Sequence, residues 1–241
     1  MEILTELQKI EQRLDQEGDT SKVRKDFWRI VGQIKRKNSI ELDDEIIERT
    51  TAIRNRLFKQ DIVISVGKGL ALYFLLFFFS FLGYLWVLVY FETTLAQFII
   101  LPSLIVFVTL NFVLGVISIF VAYGSYPLGR YFGGCIARVK FEGLYRYSPG
   151  ELGLKIEYRS YLRTTSSRRK WVFGFPIIWV FGILFILLAI TWVFNFSGIY
   201  APLIIIIMFA IFYVLIYFRR IGELYRFVRE LRIAREVKRN Q

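Results

Sequence analysis

Apolar residues are distributed along this chain in two regimes. Four stretches are apolar almost without a break, and around them apolar residues appear only at spaced positions. The unbroken stretches are residues 70–91, 95–123, 171–194 and 199–218. A bilayer core is about 30 Å thick and a helix rises about 1.5 Å per residue, so about 20 apolar residues cross it. All four stretches meet that length. An open sheet cannot satisfy its backbone in lipid, and a closed barrel would show short alternating segments. The pattern therefore predicts an all-α polytopic membrane protein with four transmembrane helices arranged as two hairpins.

The spaced positions predict helices outside the bilayer. Ile3, Leu7, Ile10 and Leu14 lie on one face of a first helix. Val23, Phe27, Ile30 and Ile34 do the same on a second, and Leu42, Ile46, Ile53 and Leu57 on a third. Each stripe is narrow and needs a partner, which a small helical bundle or an oligomeric contact would supply. After the last span, Ile221, Leu224, Val228 and Leu231 predict a terminal helix. Between the hairpins, Val139, Phe141, Tyr145 and Tyr147 alternate with polar residues, as do Leu154, Ile156, Tyr158 and Leu162. With Pro149-Gly150 between them they read as a β-hairpin; the competing reading is a helix start capped by Ser148 and Glu151. The organisation is then a cytoplasmic helical region (1–60), a first transmembrane hairpin (61–123), a basic Gly/Tyr-rich loop (124–170), a second hairpin (171–218) and a basic C-terminal helix (219–241).

Charge orients these parts. The chain carries 32 Lys and Arg against 20 Asp and Glu, a net charge of +12. Fourteen of the bases precede the first span, ten lie in 124–170 and eight follow residue 218. None falls in the short connectors 92–94 and 195–198. The positive-inside rule places both termini and the central loop in the cytoplasm. There is no His and one Cys, Cys135. The usual zinc and haem ligand sets, an internal disulfide, and Ser–His or Cys–His catalysis are thereby excluded, and no cofactor is expected.

Candidate chemistry is sparse. Basic residues beside membrane spans attract anionic headgroups. The anion- or lipid-binding candidates are Arg130, set among the glycines of 124–134, with Arg138, Lys140, Arg146, Arg219 and Arg220. Inside the bilayer, Asn111, Gly115 and Ser118 share a small, polar face suited to helix packing or to lining a pore. Asp43, Asp44 and Glu45 form an acidic turn expected to dock on the basic tail. Cys135 is open to lipidation, though a small residue following two glycines has a packing role as well. The loop's basic charge is accounted for by topology without nucleic acid. The function expected first is a non-catalytic membrane scaffold or assembly component that binds a partner, or a second copy, and anionic lipid. An oligomeric channel gated by its cytoplasmic helices is the alternative. A lipid-modifying enzyme using Glu142, Glu151 or Glu157 as base is the third.

Overall fold

The computed structural model describes residues 2–16, 20–37, 43–58, 61–90, 103–148, 151–194 and 196–239. The chain divides into two compact units, one built from Met1–Val66, Gly134–Val172 and Phe227–Gln241, the other from Gly67–Gly133 and Phe173–Arg226.

The second unit holds most of four long apolar helices: α4 (Val66–Tyr90), α5 (Ser103–Ala137), α7 (Ser166–Phe194) and α8 (Tyr200–Phe218). All four are long and apolar enough to cross a membrane. Their inner faces meet at Tyr84, Leu88, Leu114, Val121, Leu184 and Ile205. Large apolar side chains cover the outside as well, with Phe79, Trp86, Phe112 and Val193 more than half exposed. Helices apolar all round are those of a bilayer-embedded bundle. The four predicted spans thus correspond to four helices, and the connector 92–94, Pro102 and Asn195 lie outside the described residues.

The glycine-rich start of the expected loop is instead helix. α5 continues through Gly124, Gly129 and Gly133 to Ala137. Gly124 and Gly129 let other chain segments come close. A Cβ on Gly124 would lie 2.8 Å from the backbone nitrogen of Phe77 in α4, and one on Gly129 would lie 2.8 Å from the Trp179 side chain. Pro127 is carried inside the helix. Its ring removes one backbone donor, a loss that membrane-spanning helices tolerate where neighbouring groups re-satisfy the freed carbonyl.

The first unit is mixed, not all-helical. α1 (Glu2–Gln16), α2 (Thr20–Arg36) and α3 (Asp44–Leu57) pack on one another. Leu7, Phe27, Ile30, Ile34, Ile53 and Leu57 are buried as their spacing predicts. On α3 the buried residue of the first turn is Ile47, with Ile46 half-buried; Leu42 lies outside the described residues. The hairpin is present as β2 (Phe141–Ser148) and β3 (Glu151–Ile156), and β1 (Ile62–Ile64) adds a third antiparallel strand on β2. That strand is three residues long, below the length at which alternation can be read. A register shift between Phe141 and Gly143 changes which β2 residues face inward, so that Leu144 is buried and Phe141 and Tyr145 only partly so, while Leu154 of β3 is buried as its alternation predicts. One extra residue in a strand moves every later side chain to the other face. The second alternating run also ends early. β3 stops at Ile156 and a short helix, α6 (Tyr158–Arg163), buries Tyr158, Tyr161 and Leu162.

The terminal helix α9 (Gly222–Arg239) forms where expected. Its buried positions are Glu223, Glu230 and Ile233, not the apolar set Ile221, Leu224, Val228 and Leu231. A buried carboxylate with strong partners replaced the stripe that spacing alone favours.

Candidate functional site

The first unit carries a cleft of about 590 Å³ lined by Arg138, Lys140, Glu157, Arg159, Ser160, Arg163, Thr164, Thr165 and Arg168, with Ala137. Three pieces of chain build it. The end of α5 supplies Ala137 and Arg138. α6 supplies Arg159, Ser160 and Arg163. The start of α7 supplies Arg168, where first-turn amides add partial positive charge.

The α5 end is a Schellman cap. Val139 N–H donates to Gly134 O at 2.8 Å and Arg138 N–H to Cys135 O at 3.0 Å. Such a cap needs the left-handed region at the residue after the helix, a position usually given to glycine. Here Arg138 holds it at φ 59°. Ser160 then ties the cleft's two sides together. Lys140 N–H donates to Ser160 Oγ at 2.9 Å, and Ser160 Oγ–H donates to Glu157 O at 2.9 Å.

Two of the five basic side chains are partly neutralised. Arg163 pairs with Asp44 at 2.6 Å and Arg159 with Glu48 at 2.9 Å. Both pairs are about half exposed, where such contacts contribute only about 0–1 kcal/mol. Among the described residues, Arg138, Lys140 and Arg168 have no carboxylate within ion-pair distance. Five cations against Glu157, Asp44 and Glu48 leave an excess of two positive charges at the cleft.

A separate buried network pins the same unit together. Lys35 of α2 donates to Glu230 of α9 at 2.6 Å and to Tyr161 of α6 at 2.9 Å. Tyr161 Oη–H donates to the same Glu230 oxygen at 2.9 Å. Arg169 of α7 lies 3.3 Å from the other oxygen and donates to Lys35 O at 3.0 Å. Lys35, Arg169 and Glu230 are almost wholly buried. Burial lowers the Lys35 ammonium to about 8, although Glu230 pulls the other way. Burial would raise the Glu230 carboxyl, but Lys35 and Arg169 outweigh it and hold it below its ordinary range. Burial, then Glu230, pushes the Tyr161 hydroxyl up. Two cations around one carboxylate make this a structural clamp.

The residues singled out in the sequence are scattered. Arg138 and Lys140 lie in the cleft. Arg146 is exposed on β2. Arg130 sits in α5 and pairs with Glu223 at 3.1 Å, where Tyr126 also donates at 2.9 Å. Arg219 and Arg220 are exposed at the end of α8, and Arg220 forms a second Schellman cap at φ 57°. Asp43 accepts from Glu45 N–H as the α3 cap, Glu45 pairs with Arg49, and Asp44 reaches α6. Within the chain, and among the described residues, Asp44 of the acidic turn pairs with α6. Asn111 donates to Phe107 O and Ser197 O and accepts from Ala201 N–H, so its amide staples α5 to the α7–α8 turn. Ser118 is buried and donates to Leu114 O. A Cβ at Gly115 would touch nothing within 4 Å, so no close helix approach occurs there. Cys135 is free and exposed.

Sequence reading missed Lys35, Arg169 and Glu230, along with Arg159, Arg163 and Arg168. Arg159 and Arg163 stand at helical i, i+4 spacing, a signal hidden by extending the strand reading through Tyr158. Glu230 is one of only three acids in a basic tail. Among the described residues, no group of His, Cys, Asp or Glu is placed to hold a metal ion. No protein-family model, curated protein or solved structure matches this chain.

Proposed function

We propose that this multi-pass helical membrane protein is a non-catalytic scaffold or assembly component whose basic extramembrane unit faces the cytoplasm and holds anionic phospholipid. The observation that carries the reading is the cleft at the end of a spanning helix, lined by five basic side chains and holding an excess of positive charge. Juxtamembrane bases of this kind are worth about 1 kcal/mol each against an anionic leaflet. The exposed Trp28, Ile62 and Val63 on the same unit suit contact with a partner or a second copy. The pore alternative loses its main candidate, because both polar ends of Asn111 are engaged within the bundle.

Native mass spectrometry of the full chain released from nanodiscs of mixed phosphatidylcholine and phosphatidylglycerol tests the reading. The expected spectrum shows the protein carrying phosphatidylglycerol in preference to phosphatidylcholine, as an assembly larger than one chain. A monomer with no lipid preference would remove the proposal.

A further inference from the structure

We propose that the cleft lined by Arg138, Lys140, Arg159, Arg163 and Arg168 is a binding site for a phosphomonoester, carried on a lipid headgroup or on a small soluble molecule. The inference rests on the anionic-lipid reading and narrows it from surface attraction to one headgroup class.

Charge balance selects the class. The cleft's excess of two positive charges matches a phosphomonoester, which carries about −1.5 to −2 at pH 7. A phosphodiester carries one negative charge and leaves the cleft half compensated. Arginine supplies forked donors that fit phosphate oxygens in pairs, and four of the five basic residues of the lining are arginines. Arg159 and Arg163 stay half exposed while held by Glu48 and Asp44, so those acids compete with a ligand for them.

Arg138 also supplies a variant that removes one cleft cation without disturbing the fold. Its φ of 59° is a conformation that glycine adopts freely and other residues adopt at a cost. Glycine at this position would keep the Schellman cap and remove only the arginine side chain from the cleft lining.

The test uses the full-length protein in neutral detergent, titrated with short-chain phosphatidate or short-chain phosphatidylglycerol by calorimetry. Phosphatidate is expected to bind about tenfold more tightly at pH 7.5. That preference should shrink at pH 5.5, because the second phosphate proton returns near pH 6. Arg138→Gly suits the left-handed backbone, so it should keep the thermal unfolding of the parent while losing about tenfold in phosphatidate affinity. Asp44→Asn combined with Glu48→Gln frees two arginines and should tighten binding. Competition by sn-glycerol 3-phosphate would point to a soluble occupant and failure to compete to a lipid-borne one, and either supports the phosphomonoester class. Equal affinity for the two lipids, or unchanged affinity in Arg138→Gly, overturns the inference and leaves the broader lipid reading standing. No binding of either lipid above short-chain phosphatidylcholine removes both.

Discussion

At Arg138 and Arg220 the backbone takes φ of 59° and 57°, and these are the non-glycine residues with positive φ among the described residues. Each follows a spanning helix, α5 or α8, and each closes it with the paired hydrogen bonds of a Schellman cap. The left-handed region costs about 1–2 kcal/mol for a residue with a Cβ. At Lys35 and Glu230 the chain accepts a different cost, burial of charge. The clamp makes an asymmetric prediction. Glu230→Gln leaves Lys35 and Arg169 buried without a counterion and should destabilise the protein by about 3–5 kcal/mol. Lys35→Met removes two hydrogen bonds but leaves Glu230 with Arg169 as counterion and Tyr161 as donor, so it should lose less, about 1.5–3 kcal/mol. Thermal unfolding of the three proteins in one detergent measures the order; equal losses would contradict the clamp. The clamp also predicts a pH effect. Lys35 titrates near 8 when folded and at its ordinary 10.5 when unfolded. Between those values the unfolded chain holds the extra proton, so stability from this group rises with pH across the window. That rise should vanish in Lys35→Met.

Helix contacts within the membrane unit depend on where glycine meets backbone. Gly124 brings α5 against the α4 backbone at Phe77, whereas Gly115 faces open space. Gly124→Ala should therefore cost about 1–3 kcal/mol, the usual range for overpacking, and Gly115→Ala should be neutral or slightly stabilising. Detergent melting curves that rank them the other way would refute this packing. The elements themselves were largely legible from the sequence. Unbroken apolar runs gave the four spans, and 3,4 spacing gave α1 and α2, because both signals repeat over many residues. What stayed illegible depends on a single residue or on distant pairing. Gly115 and Gly124 look alike in sequence and differ only in what lies opposite. A bulge near Gly143 reversed the facing of the β2 residues that follow it. The three residues of β1 show no periodicity of their own and pair with a strand about 80 residues away. The buried side of α9 turned on Glu230 finding Lys35 in α2, a pairing no local pattern announces.

At the scale of the whole molecule, four apolar helices establish a multi-pass membrane protein, and charge asymmetry supplies its proposed orientation. With Cys135 replaced by serine, Ser197→Cys should react with a membrane-impermeant thiol reagent from outside intact cells, since it lies in the turn between α7 and α8. Reaction only after permeabilisation would invert the topology and put the basic cleft at the wrong leaflet. The cleft itself was half legible. Arg138 and Lys140 stood out as bases beside a span, while Arg159, Arg163 and Arg168 were brought to them by α6 and the turn into α7. The assembled basic unit is proposed to select anionic lipid. The most direct measurement of that selection is the lipid retained by the full-length protein after purification from vesicles of equal phosphatidylcholine and phosphatidylglycerol, at low and high salt. Phosphatidylglycerol enrichment that declines with salt, and that drops when Arg138, Lys140 and Arg168 are replaced by glutamine, is the predicted result. Retention in the proportions of the starting vesicles, unchanged by the triple replacement, would contradict it.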